Sequence, residues 1–254
     1  MIGFRRARPV RLIPFAEAKP LTFNELLCDG VTARSIPCFA DLLDLHARLQ
    51  RERPHQCILA SLDDLGQACY TSGHGTDHYG LDDVEGLDEE QPTEFPVRLT
   101  NLLKRAEAVD VRDVAGLLDW ATPGDSNDLL TVNRDPDRAL RIAEDGEVIF
   151  QFVPVSSPAE AIAAFPNGYF SADLNPMQNL ALARHLESAY GLTLFGIGSR
   201  FLGFRRCEAL EEAMARDLAA ELARFYRGAP PGAAAELARL IAGREWLLLR
   251  YTES

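Results

Sequence analysis

The chain of 254 residues predicts an α+β fold: a mainly antiparallel sheet with helices packed on one face, in two regions, 1–125 and 126–254. Three observations lead there. The composition, 47% hydrophobic and 25% charged, is that of a globular protein able to bury a core. Short runs with strand character, bounded by turn residues, alternate with stretches of helical period. In the second half the order is hairpin, helix, helix, hairpin, helix, helix, strand, which gives an antiparallel sheet covered by helices.

From the N-terminus, the first strand candidates are residues 10–15 and 57–60. Between them Phe39, Leu42, Leu43, Leu45, His46 and Leu49 follow helical spacing, and Pro54 stops that helix. Residues 71–96 read as a long acidic surface loop, because glycines 73, 75 and 80 are followed by dense carboxylates. Leu99, Leu102, Leu103 and Ala106 mark the next helix, and Val111, Val114, Leu117 and Leu118 a second. The run from Thr122 to Asn127, rich in Pro, Gly and Asp, is the predicted boundary.

Beyond it, residues 139–142 and 147–155 flank Asp145-Gly146 and predict a hairpin. A helix over 157–165 follows. Asn175-Pro176 supplies an N-cap and a first-turn proline for a helix that Gly191 ends. Residues 192–197 and 201–206 predict a second hairpin. Leu210, Met214, Leu218, Leu222 and Phe225 mark a long amphipathic helix, followed by an alanine-rich helix and a last strand over 246–251.

Charge is distributed unevenly. Between Arg53 and Arg98 there is no lysine or arginine but ten carboxylates, which account for most of the formal charge of −12. Such a field attracts cations or a basic protein and repels nucleic acid and anionic membrane. Asp82, Asp83, Glu85, Asp88, Glu89 and Glu90 are the residues expected to meet a basic protein partner. No apolar run approaches the ~20 residues of a membrane span. Five cysteines without a C-x-x-C pair argue against a disulfide framework, so the expected location is the cytoplasm.

Two other sites compete. His74, Asp77 and His78 carry groups that bind divalent metal, and a metal-dependent hydrolase could use them with a distant carboxylate such as Asp173 as base. Against it, glycines 73, 75 and 80 disfavour the helix that would align the two imidazoles. Asn167, Tyr169, Asp173 and Asn175 lie in a turn before a helix N-terminus, where a small-molecule sensor could hold its ligand. Caps and turns are the more usual employment of such residues. Neither a Walker-type phosphate loop nor a G-x-S-x-G nucleophile occurs. No cofactor is expected other than that metal.

The segment Asn167-Gly-Tyr-Phe-Ser-Ala-Asp-Leu-Asn-Pro and the helix and strands after it, about residues 165–206, resemble C-terminal domains of bacterial families of unknown function. In general character the acidic chain is similar to bacterial immunity proteins. That similarity implies a non-enzymatic antitoxin-type partner for a basic toxin.

Overall fold

The computed structural model describes residues 10–20, 25–84, 94–120, 127–141 and 147–252. In chain order, β1 (Arg11–Pro14) and β2 (Gly30–Arg34) precede α1 (Phe39–Glu52), β3 (Cys57–Leu62) and α2 (Leu65–His78). Next come α3 (Phe95–Ala106), a 3-10 turn at Val111–Val114, β4 (Leu118–Asp119), α4 (Leu129–Arg134) and α5 (Arg138–Arg141). After β5 (Glu147–Val153) and a second 3-10 segment, Pro158–Ala164, the chain forms α6 (Pro176–Tyr190), β6 (Thr193–Gly198) and β7 (Phe201–Arg205). It ends with α7 (Glu212–Phe225), β8 (Tyr226–Arg227), α8 (Ala233–Ile241) and β9 (Trp246–Arg250).

Seven strands form one sheet in the order β1-β2-β5-β3-β6-β7-β9. Every neighbouring pair is antiparallel except β3 with β6. The α+β class is therefore as predicted, but three details differ. Helices cover both faces rather than one. On one face α1 buries Phe39, Leu42, Leu45 and Leu49 against Ile58, Ala60, Phe150 and Phe195. On the other, α3, α6, α7 and α8 share a larger core with Leu59, Ile149, Leu194 and Leu249. Side chains alternate along a strand, so β3 is buried along its whole length.

The two expected regions also interleave, because β5 sits between β2 and β3. Finally, the first strand of the hairpin expected around Asp145-Gly146 is absent among the described residues, and the turn itself lies outside them. Arg138–Arg141 is helical, and β5 pairs instead with β2 and β3, strands more than 80 residues earlier. The hairpin of β6 and β7 and the Asn175 N-cap of α6 are as expected; Gln178 completes a capping box with Asn175, and Gly191 ends α6 at φ 66°. All five cysteines are free.

Asp63 fixes the end of β3. It is a buried non-glycine residue at φ 47°. Its carboxylate accepts from the Ser199 hydroxyl (2.6 Å) and from the backbone N–H groups of Ser199, Arg200, Phe201 and Asp64. One side chain thus ties β3 to the β6–β7 turn and sets where α2 begins. Burial pushes its carboxyl up to about 6, against the opposing pull of Ser199 and the backbone donors.

Candidate functional site

The segment expected to be a loop, residues 71–78, is helical, which corrects the reading of its glycines. Asp64 caps α2 by accepting from Gln67 N–H at 2.9 Å. Gly75 has a packing role: a Cβ there would lie 3.4 Å from the Pro166 carbonyl and 3.8 Å from that of Gly168. It lets α2 pack closely on residues 166–168, a contact that stabilises the helix beyond its weak intrinsic propensity.

That contact is sealed by buried polar groups. The Thr71 hydroxyl lies 2.6 Å from Asn167 Oδ1, and Asn167 Nδ2 donates to the Ala68 carbonyl. Asn179 Nδ2 donates to the Asn167 carbonyl and to that of Leu174. Asn175 caps α6, and Asp173 accepts from Phe170 N–H at 3.2 Å. Asn167, Asp173 and Asn175, nominated as ligand groups, thus make internal bonds that join α2 to α6 and shape the turn.

Tyr169, the fourth nominated residue, is different. With α2 helical, Tyr70, His74 and His78 fall four residues apart on one stripe. His74 stacks on Tyr169, with ring centroids 5.1 Å apart and an interplanar angle of 29°, while Tyr70 meets His74 edge-on at 4.4 Å. His78 approaches both Tyr79 (4.7 Å) and Tyr169 (5.8 Å), and Phe170 extends the array at 5.4 Å from Tyr169. Two sites proposed separately from the sequence, the His74/His78 pair and the Tyr169 turn, therefore form one aromatic surface. Tyr70 is 47% exposed and Phe170 41%. Burial, and then the charge of Asp173, raises the Tyr79 hydroxyl above its ordinary range.

Among the described residues, no group of three or more His, Cys, Asp or Glu side chains is placed to hold a metal ion. The imidazoles of His74 and His78 instead pack against aromatic rings. The surface suits planar or cationic partners, since exposed ring faces attract guanidinium and ammonium groups.

The chain leaves this surface into the acidic stretch. Arg98, 1% exposed on α3, donates from Nε and Nη2 to the two oxygens of Asp82, both at 2.7 Å. This bidentate pair compensates a buried cation, so Asp82 is engaged structurally. Asp83 lies 3.4 Å from Arg105 but remains largely exposed. Glu85, Asp88, Glu89 and Glu90 lie outside the described residues.

Tyr70, Tyr79 and Phe170 were not singled out from the sequence. The spacing Tyr70, His74, His78 was the available signal, and glycines 73 and 75 concealed it. Comparison with protein families, curated proteins and solved structures finds no match. The resemblance drawn for residues 165–206 thus rests on its own turn and cap residues. Fold and site together define an α+β protein with an exposed aromatic–histidine surface on α2 and the 167–175 turn. Among the described residues, no helix is long and apolar enough to cross a membrane.

Proposed function

We propose that this chain is a cytoplasmic interaction protein that docks a basic protein partner on the surface running from Tyr70 to Phe170. One observation carries the reading. Of the three large hydrophobic side chains exposed among the described residues, Tyr70, Leu117 and Phe170, two belong to this one surface. Aromatic rings are the usual anchors of protein interfaces, where a few buried side chains carry most of the affinity. In the sequence that follows α2, Asp83, Glu85, Asp88, Glu89 and Glu90 supply charge that speeds encounter with a basic protein and selects against acidic ones.

The two roles divide by residue. Tyr70, Tyr169 and Phe170 act as anchors. Asp83, Glu85, Asp88, Glu89 and Glu90 act in steering, whereas Asp82 serves Arg98. Neutralisation of a basic toxin, as by an immunity protein, is the most specific form of this reading.

Capture with the tagged full-length protein from its native cells, at low and high salt, tests it. The expected result is a basic protein retained at low salt, weakened at high salt, and lost with the Tyr70→Ser/Phe170→Ser variant. A partner held equally by that variant, or no partner at either salt, would overturn the proposal.

A further inference from the structure

A second feature lies at the other end of β3, a six-residue strand about 20 Å long. There the last turns of α1, the starts of β3 and β6, and the residues following β5 and β7 enclose a cleft of about 870 Å³. Its charge is opposite to that of the molecule. Arg51, Arg205 and Arg206 line it together with the imidazoles of His46 and His55, of which buried His46 is uncharged near neutral pH, and among the described residues no aspartate or glutamate does.

These arginines are also short of acceptors. Arg98, Arg105, Arg112, Arg134, Arg184 and Arg227 each hold a carboxylate. Among the described residues, none of Arg51, Arg205 and Arg206 does. The Arg206 guanidinium meets the Met214 sulfur through Nη1 at 3.0 Å, and its buried Nε has no hydrogen-bond partner. A thioether is a weak acceptor for a guanidinium. Arg205 Nη1 makes only long contacts, 3.4 Å each, to the Leu43 carbonyl and His46 Nδ1.

The wall behind them is fixed. The His46 ring bonds the Ile58 carbonyl through Nε2 at 2.8 Å, which leaves Nδ1 to face Arg205. One turn on, Gln50 donates to the Gln56 carbonyl and accepts from Ile58 N–H. Two carboxylates, Glu187 and then Glu160, bear on the Cys57 thiol in the cleft wall, and Glu160 is paired with Arg184 at 3.2 Å. The C-terminal ends of α1 and α6 border the cleft and each contributes about half a negative charge, against three full guanidinium charges.

We infer that this cleft binds a small molecule bearing an oxyanion, phosphate or carboxylate, with Arg51, Arg205 and Arg206 as the charged ligand groups. The volume suits a metabolite-sized ligand whose anionic group meets the arginines. Its remainder would lie along the apolar part of the lining, which includes Val155 and Leu194. A chain of net charge −12 otherwise repels such anions, so binding here is a local property.

The test is thermal unfolding of the full-length chain near neutral pH with inorganic phosphate, glucose 6-phosphate or citrate, each against sodium chloride of equal ionic strength. At about 10 mM, at least one oxyanion should raise Tm by about 2 °C or more beyond chloride. A rise with phosphate and glucose 6-phosphate alone assigns phosphate recognition, a rise with citrate alone assigns carboxylate recognition, and a rise with all three assigns the shared oxyanion chemistry. The rise should vanish in Arg205→Gln/Arg206→Gln and persist in Arg112→Gln, whose arginine is exposed and bound to Asp110. Arg51→Gln changes an exposed position on the last turn of α1 and keeps the test valid should the double variant fail to fold: it should weaken the response to the same anion at least threefold. No rise beyond chloride, or an undiminished response in these variants, would overturn the inference.

Discussion

Single buried polar residues set much of the stability of this fold, and two of them respond to pH in opposite directions. His46 is 4% exposed, and burial lowers its pKa from 6.5 to about 4. The unfolded chain therefore takes up a proton first, and the stabilisation present above pH 6.5 is lost as pH falls toward 4. The full difference is about 3 kcal/mol. Asp63 acts the other way. Its carboxyl titrates near 6 in the fold against an ordinary 3.8, so its contribution is fully present below 3.8 and is lost as pH rises through 6. Urea denaturation at pH 7 and pH 4.5 should show His46→Gln losing less stability on acidification than the native chain; an unchanged loss would mean another group is responsible. Asp63→Asn sets an amide N–H₂ against a ring of donors. It should lower stability by about 2–4 kcal/mol at pH 7 in the same assay.

At the scale of elements, α2 was hidden in the sequence because a glycine can serve a turn or a close contact, and composition does not distinguish them. Gly168 makes the complementary case: it has φ +110°, and a Cβ there would fall 1.8 Å from the Leu174 carbonyl. Gly168→Ala should therefore destabilise the fold by about 3 kcal/mol or more, through strain and overpacking together. Gly75→Ala should stay within about 1 kcal/mol of the native chain, because a contact at 3.4 Å is offset by better helix propensity. Thermal unfolding of the two variants checks the contrast. The acidic stretch divides similarly. Asp82→Asn leaves Arg98 buried without its counter-charge and should cost about 3–5 kcal/mol, whereas Asp83→Asn, at an exposed pair, should change stability by less than about 1 kcal/mol.

Elements with local signals were legible in the sequence. The helix from Pro176 was announced by Asn175, Pro176 and Gly191, and the β6–β7 hairpin by two apolar runs around Gly198-Ser199. Partnerships between distant segments were not. The insertion of β5 between β2 and β3, and the second helical face over α1, depend on contacts separated by about a hundred residues. Half of the candidate site was visible as His74, His78 and Tyr169. The rest required knowing that α2 is a helix, which brings Tyr70 into line and meets Phe170 across the 167–175 turn.

The whole molecule carries an aromatic surface beyond one end of β3 and an arginine-lined cleft at the other. Docking on the aromatic surface is measured most directly by the affinity of the captured basic partner for the native chain and for Tyr70→Ser/Phe170→Ser, across a salt series. Both replaced side chains are exposed, so the variant should keep its Tm within about 2 °C. Affinity should fall at least about 100-fold in the variant, and association with the native chain should slow as salt rises. A folded variant that binds as tightly as the native chain would contradict docking there.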